Sequence, residues 1–397
     1  MTVHPLNPAG LKNQTVSFQA LPPLSLYIHI PWCVRKCPYC DFNSHEARAD
    51  IPEAAYVDAL IRDLEMSLPL IWGRKVYSVF IGGGTPSLLS AQAIDKILGN
   101  VRMLLPLDVN AEITLEANPG TVEADKFKGF RDAGVNRLSL GIQSFNDSQL
   151  KALGRIHNAD EACRAIEVAQ SHFDNINLDL MYALPQQTLE QAEQDVVTAL
   201  EFTPQHLSCY HLTLEPNTLF HRYPPSLPDD DASSEMQQRI EALLAGHGYQ
   251  HYETSAFAQP KKQSRHNLNY WQFGDYLGIG AGAHSKISSH DTVLRQARYK
   301  QPQAYLDQIA QGTPVQTESK LTRDDLCFEF MMNALRLNEG FASELFTERT
   351  SLPLLLIRSE LEQAEQRGLL TRDLQRIAPT ETGQRFLNDL LQIFLRE

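Results

Sequence analysis

The sequence predicts an α/β chain built on a partial (βα)6 barrel and finished by a winged-helix-like, α-rich C-terminal unit. Three observations predict the barrel: short apolar-rich runs of strand length, amphipathic stretches of helical period between them, and helix-start residues at the expected places. Strand-like runs occur at Leu24 to Ile30, Val76 to Ile81, Glu112 to Glu116, Arg137 to Gly141, Ile176 to Leu180 and His206 to Leu212. Helical stretches lie at Glu53 to Ser67, Ala91 to Leu105, Asp125 to Ala133, Glu161 to Ser171 and Leu189 to Leu200. Ser90 precedes one helix, and Asn158 with Glu161 and Thr188 with Gln191 have capping-box spacing. Successive βα units imply a parallel sheet with right-handed crossovers. Curling six units leaves a barrel two short of the closed eight-unit form, with a gap that can admit a large substrate.

Length and charge bound the rest. A chain of 397 residues exceeds a single small core, and four segments are expected: a flexible arm over 1–20, the barrel over 21–213, a substrate-side extension over 214–320 and the C-terminal unit over 321–397. In that extension 215–231, rich in Pro and acids, reads as a mobile connection. The C-terminal unit is expected to hold helices at Asp324 to Leu337 and Leu352 to Gln366, a strand pair around Leu369 to Ala378 and a final helix at Thr382 to Leu395. That shape invites a DNA-binding role. Residues 322–397, however, hold nine Arg and no Lys against 13 Asp plus Glu, and the whole chain carries a net charge of -13, so no nucleic-acid partner is expected. Residues 1–20 lack a cationic head followed by an apolar stretch, and no apolar run reaches bilayer length, so the expected location is cytoplasmic, with reduced thiols.

The chemistry concentrates after the first strand, where Cys33, Cys37 and Cys40 stand in Cys-Val-Arg-Lys-Cys-Pro-Tyr-Cys. Closely spaced thiolates on one short loop suit an iron–sulfur cluster, and three ligands leave one iron open. A zinc site needs a fourth ligand, which His29 or His45 could provide. Cys163, Cys209 and Cys327 fall singly within helix- or strand-like segments, where a free Cys packs as a small apolar residue. Distinctive polar residues also fall where strands end: Gly82-Gly83-Gly84-Thr85-Pro86, Glu116, Gln143, Asp179, Tyr210 and His211. In βα barrels the C-terminal strand ends carry the reacting groups. Taken singly, these residues also fit a tight turn, a surface acid, a strand-end amide and a helix-capping Asp.

The spacing Cys-x3-Cys-x2-Cys followed by Asp41-Phe42 resembles the signature of the radical S-adenosylmethionine (SAM) superfamily. The resemblance implies a 4Fe-4S cluster on Cys33, Cys37 and Cys40 whose open iron chelates SAM, so that the reduced cluster can split the sulfonium and release a 5'-deoxyadenosyl radical. It casts Gly83, Gly84 and Thr85 as the grip on the SAM amino group. Tyr39 would lie against the adenine and Tyr27 toward the cluster side, while Glu116, Gln143, Arg155 and Asp179 would hydrogen-bond one or two SAM molecules.

Within residues 24–390 the match narrows. Tyr-Ile-His-Ile-Pro-Trp-Cys, Gly-Gly-Gly-Thr-Pro, Leu-Glu-Ala-Asn-Pro-Gly, Gly-Ile-Gln-Ser-Phe, Leu-Asp-Leu-Met-Tyr-Ala-Leu-Pro and Tyr-Leu-Gly-Ile-Gly-Ala-Gly-Ala-His-Ser resemble the oxygen-independent coproporphyrinogen III oxidase group. The oxidases carry a fourth Cys two positions after the third, where this chain has Phe42. That departure, with the His-Asn-x-x-Tyr-Trp pattern of Arg265 to Trp271, resembles the radical SAM haem-chaperone branch. The resemblance implies haem as cargo and haem-acceptor proteins as partners, membrane-associated respiratory proteins among them, with a homodimer as a further expectation. His266 would offer an imidazole to iron, with Asn267, Tyr270 and Trp271 beside the porphyrin. The other reading of these residues is a loop histidine beside a core Trp. The alternative function is oxidative decarboxylation of coproporphyrinogen propionates. The run Gly278 to Gly282 is read as a substrate-side loop with His284 at the pocket mouth.

Overall fold

The computed structural model describes residues 16–47, 51–120, 124 and 126–396; most of the expected N-terminal arm and the expected helix start at Asp125 lie outside them. Six parallel strands form in the expected order: β1 (Leu24–Ile30), β2 (Val76–Gly83), β3 (Leu107–Ala117), β4 (Arg137–Gln143), β5 (Ile176–Tyr182) and β6 (His206–His211). Period-2 alternation splits each strand between two surroundings. In β1, Leu24, Leu26, Ile28 and Ile30 join the main apolar core, whereas Ser25 bonds the Ser78 hydroxyl and Tyr27 bonds His29.

Helices α1 (Glu53–Ile71), α2 (Ala91–Leu104), α3 (Phe127–Ala133), α4 (Ala159–Gln170) and α5 (Leu189–Glu201) cover the apolar face. Their starts follow the sequence. The Ser90 hydroxyl accepts from Ala93 N at 3.1 Å, and both expected capping boxes close, Asn158 with Glu161 and Thr188 with Gln191.

The extension departs from the six-unit expectation. It supplies α6 (Asp230–Gly246), β7 (Gln250–Glu253), β8 (Ala256–Ala258), α7 (Arg265–Trp271), β9 (Asp275–Ile279), β10 (His284–Ser288), β11 (Val293–Arg298), α8 (Pro302–Gln311) and β12 (Val315–Lys320). All six of these strands join the barrel sheet, in the order β12-β11-β10-β9-β1-β2-β3-β4-β5-β6-β8-β7. Strand β9 pairs parallel with β1 from the side away from β2, which makes seven parallel strands rather than six. Buried Leu277 and Ile279 drive it inward, while the glycines between and after them hid the strand from pattern reading. The sheet does not close, since β12 and β7 remain its two ends.

Two further differences matter. Segment 215–231, expected to be mobile, holds the short helix Leu219–Arg222 behind a Thr218 cap. Phe220 N donates to Pro38 O at 3.0 Å, and Phe220 and Leu227 pack on Leu153, Met181, Leu184 and Leu212. Burial of those side chains offsets the backbone entropy that the Pro-rich composition suggested would win. The HNLNYW run is helix α7 rather than a loop, and Glu112 accepts from the backbone N–H groups of Arg265 and His266 at its start.

The C-terminal unit contains α9 (Arg323–Ala334), β13 (Phe341–Ala342), α10 (Ser343–Thr350), α11 (Arg358–Gln366), β14 (Leu370–Arg372) and β15 (Arg376–Pro379), with strand order β13-β15-β14. Strand β13 and helix α10 were not anticipated, and the expected last helix breaks at Phe386. A separate apolar cluster centres on Phe330, with Phe273, Phe341 and Phe346 edge-on around it. Among the described residues no helix is long and apolar enough to cross a membrane.

One buried ion pair ties the extension to the first βα unit. Asp63 on α1 accepts from Arg298 Nε at 3.0 Å, the Tyr305 hydroxyl at 2.9 Å and Gly280 N at 3.1 Å, while Arg298 also donates to Ser67 and Gln296. Removing one partner strands the other charge in the core. Asp63→Ala should therefore cost about 3–5 kcal/mol in urea unfolding, and Asp63→Leu/Arg298→Met should recover much of it. Equal losses in the single and double variants would show that the pair is not coupled.

Candidate functional site

The cysteine loop begins where β1 ends. Trp32–Cys33 pairs in parallel with His45–Glu46, which pins both ends of the loop. Cys40 N donates to Cys37 O at 3.1 Å, and Lys36 Nζ reaches the Phe42 and Ser44 carbonyls at 3.2 Å each. The three thiols are free and half-buried. Among the described residues no three Cys, His, Asp or Glu side chains converge tightly enough to share one metal ion. His29 cannot readily complete a zinc site, because Nδ1 bonds the Tyr27 hydroxyl at 2.9 Å and Nε2 bonds Asn43 O at 2.9 Å. His45 Nε2 bonds Lys300 O at 3.3 Å. The donor set, three separate thiols with no fourth protein ligand at hand, fits a cluster with one open iron better than tetrahedral zinc.

The triple glycine lets two backbones meet. Gly83 has φ of +114°, and a Cβ there would lie 2.5 Å from the His29 ring; a Cβ on Gly84 would lie 2.5 Å from Trp32 O. Gly84 N donates to Ile30 O and Thr85 N to Trp32 O, both at 2.7 Å, so this segment runs directly along the start of the cysteine loop. Gly83 N donates to Glu116 at 3.1 Å.

From there a polar chain crosses the rim. Asn118 Nδ2 donates to the Thr85 hydroxyl at 3.0 Å, Arg155 donates to Asn118 Oδ1 and Gly141 O at 2.7 Å each, and Arg155 Nη1 lies 3.8 Å from Cys37 Sγ. Gln143 stands at a strand irregularity with φ of +70°, and its amide shares the space around Gly141 with Arg155 and Asn118. Tyr39 leans on Phe220 with ring centres 6.4 Å apart. Sequence reading gave Asn118 no role, although it sits in the Leu-Glu-Ala-Asn-Pro-Gly piece. Two of the rim's apolar side chains are also open to solvent: Phe42, 65% exposed, and Ile156.

Glu116 and Asp179 lie deeper and retain accessible surface, so they line the interior. Burial, and then the Asp179 charge, push the Glu116 carboxyl up to about 8. Burial also raises Asp179, against the hydrogen bonds it accepts from Asn177 and Ser139. Tyr27 stacks on Phe80 at 6.3 Å below this pair. The Gly280–His284 turn reaches the same rim, where Asn43 Nδ2 donates to Ala281 O at 2.9 Å.

The structure thus gathers Cys33, Cys37, Cys40, Tyr39, Gly83, Gly84, Thr85, Glu116, Gln143, Arg155 and Asp179 at one end of the barrel, with Tyr27 inside it. The haem candidates are elsewhere. His266, Asn267, Tyr270 and Trp271 sit on α7 at the N-terminal strand ends, opposite the cysteine loop. His266 is 1% exposed, with Nδ1 on the Ser78 hydroxyl at 2.9 Å and Nε2 on the Tyr270 hydroxyl at 3.3 Å. Burial lowers its pKa to about 3, so the ring is neutral. The Trp271 indole N–H is buried without a partner among the described residues, and Arg336 lies over the ring at 4.4 Å.

Residues 27–198 match the Radical SAM superfamily and residues 321–386 the HemN C-terminal domain. Heme chaperone HemW of Escherichia coli is 50% identical over 379 residues, covering 95% of this chain and 99% of that protein. Heme chaperone HemW of Bacillus subtilis is 35% identical, with 94% and 99% covered. The Escherichia coli coproporphyrinogen III oxidase HemN, a radical SAM enzyme, superposes with a TM-score of 0.80 over 98% of both chains at 24% identity, which shows a shared fold.

Two outcomes follow from this geometry. The folded protein holds a proton on Glu116 up to about pH 8 that the unfolded chain releases near 4.5, so stability contributed there is lost as pH rises across that window. The fall in Tm between pH 5 and 8.5 should be shallower in Glu116→Gln, and an unchanged slope would place the proton elsewhere. Gly83→Ala, which meets both a positive φ and the His29 ring, should cost about 1–3 kcal/mol in chemical denaturation and reduce cluster assembly scored by iron and sulfide.

Proposed function

This chain belongs to the heme chaperone HemW family on the radical SAM fold, and we propose from that premise that it binds haem and passes it to acceptor proteins. Its cofactors are a 4Fe-4S cluster on Cys33, Cys37 and Cys40 and SAM beside it. The observation that carries the reading is likeness to named haem chaperones over 95% of the chain, joined to an exposed Phe42 where the oxidases place a fourth Cys. The likeness to the coproporphyrinogen oxidase is one of fold, and fold alone does not assign a reaction.

When bound, the cluster supplies an electron to the SAM sulfonium. The protein's own residues do the rest. Gly83 and Gly84 pack their backbone against His29 and Trp32, and with Thr85 they form the segment beside the cysteine loop that would accept from the SAM amino group. Arg155 holds a fixed cation beside Cys37, and a protonated Glu116 can donate as well as accept. For haem, His266 presents the neutral imidazole that ligates metals. Binding iron through Nε2 would replace its Tyr270 hydrogen bond and leave Nδ1 on Ser78, which requires α7 to shift. Acceptors that include membrane-associated respiratory proteins, a cytoplasmic location and a homodimer complete the proposal.

Anaerobic haem titration of the cluster-reconstituted protein, followed in the Soret band, tests it. Saturable one-to-one binding is expected, weakened in His266→Ala and retained or tightened in Tyr270→Phe, which removes the competing hydroxyl. Nonspecific absorbance alone in the wild type would remove haem as cargo. In Cys37→Ala the cluster should be lost, because two thiolates are too few anchors; full iron and sulfide content would contradict that assignment.

A further inference from the structure

Helix α7 is held at its two ends by different parts of the fold. At its start, Glu112 of β3 accepts from the N–H groups of Arg265 and His266 at 3.2 and 3.1 Å, and His266 Nδ1 bonds Ser78 of β2. Around its end the contacts are with the C-terminal unit. The Arg336 guanidinium lies 4.4 Å from the centre of the Trp271 ring, Arg349 Nε donates to Gln272 O at 3.3 Å, and Phe273 packs into the C-terminal apolar cluster, edge-on to Phe330 at 5.8 Å. Phe273 also takes a φ of +54°, a region that a bulky residue adopts only where its surroundings hold it there. Lys286 supplies part of that hold, with Nζ 4.0 Å from the Phe273 ring centre and 3.0 Å from its carbonyl oxygen.

The His266 imidazole is hemmed in. The Phe80 and Tyr270 rings each centre 5.0 Å from it, and the Tyr270 hydroxyl occupies Nε2. Iron reaches Nε2 only if α7 moves, and the contacts of the C-terminal unit oppose that movement at the Tyr270 end of the helix. We propose that Arg336, Arg349 and Phe273 are positioning residues that latch α7 in place, withhold His266 from haem iron and so keep haem weakly enough bound to be passed on, a reading that rests on the proposed ligation by His266. A ligand that needs a minor conformation loses apparent affinity in proportion to the rarity of that conformation. By the same coupling, bound haem must loosen the latch by an equal factor.

Two variants release the latch without touching His266. Arg349→Met removes the donor to Gln272 O. Glu253→Gln/Arg336→Met removes the cation over Trp271 together with the buried carboxylate 3.7 Å from it, so that no charge is left stranded. Each should tighten haem binding in the Soret titration about three- to tenfold, the scale of one hydrogen bond or cation–ring contact. The tightening should vanish when His266→Ala is added. In the haem-free protein, hydrogen exchange at the Leu268, Gln272 and Phe273 amides should quicken by a similar factor, while α9 stays as protected as in the wild type.

Unchanged exchange in α7 overturns the proposal, and because that measurement needs no haem it decides the latch by itself. Quickened exchange with haem affinity unchanged or weakened marks a merely structural joint, which also overturns the proposal but leaves the haem reading standing. If His266→Ala binds haem as tightly as the wild type, ligation by His266 fails and the proposal fails with it. A wild type that binds no haem beside a released variant that does would be the latch at full strength.

Discussion

The close approach of two backbones at the end of β2 is the constraint on which the rest of the site depends. Gly84 and Thr85 hydrogen-bond along Ile30 to Trp32, and Gly83 turns through a positive φ beside the His29 ring. No side chain fits in either place. That contact fixes the root of the cysteine loop against the barrel rim, aims Gly83 N at Glu116 and sets Thr85 where Asn118 can reach it. Through Asn118 and Arg155 the same alignment extends to Cys37. A shift of one residue in this pairing would exchange the inward and outward faces of β2 and dissolve the rim.

Much of this was legible in the sequence because it rests on local signals. Six strand-length apolar runs and their helices could be located from period and caps, and Ser90, Asn158 and Thr188 act as their residue types suggest. Strand β9 was not legible. It is five residues long, carries a glycine, and is defined by a partner some 250 positions earlier. Helix α7 was visible as a motif but not as a helix, although Ser264 caps it locally by accepting from Asn267 N; it is only seven residues long, and Glu112 from another strand holds its first two N–H groups. The order in segment 215–231 arises from Phe220 and Leu227 packing at a distance, which composition does not register.

For the site, residue type and strand-end position identified the thiols and most of the polar rim. What sequence could not give was direction. His266 reads as an available ligand and is found saturated between Ser78 and Tyr270. Asn118 carries no signal of its own in the sequence and is found bridging two others. In both cases function depends on which atoms remain unpaired after folding, a property of the assembled interior.

The loop bearing the thiols begins near residue 33, yet its anchors are distributed along the chain. Pro38 O is held by Phe220 N, and Asn43 reaches the carbonyls of Ala281 and Lys300, 238 and 257 positions away. During synthesis the thiols emerge from the ribosome early, and these distant anchors of their loop arrive only after about two-thirds of the protein has followed. The cysteine loop thus reaches its full set of supports late in the life of the molecule, and the nascent chain must reach that point with its cysteines protected from oxidation.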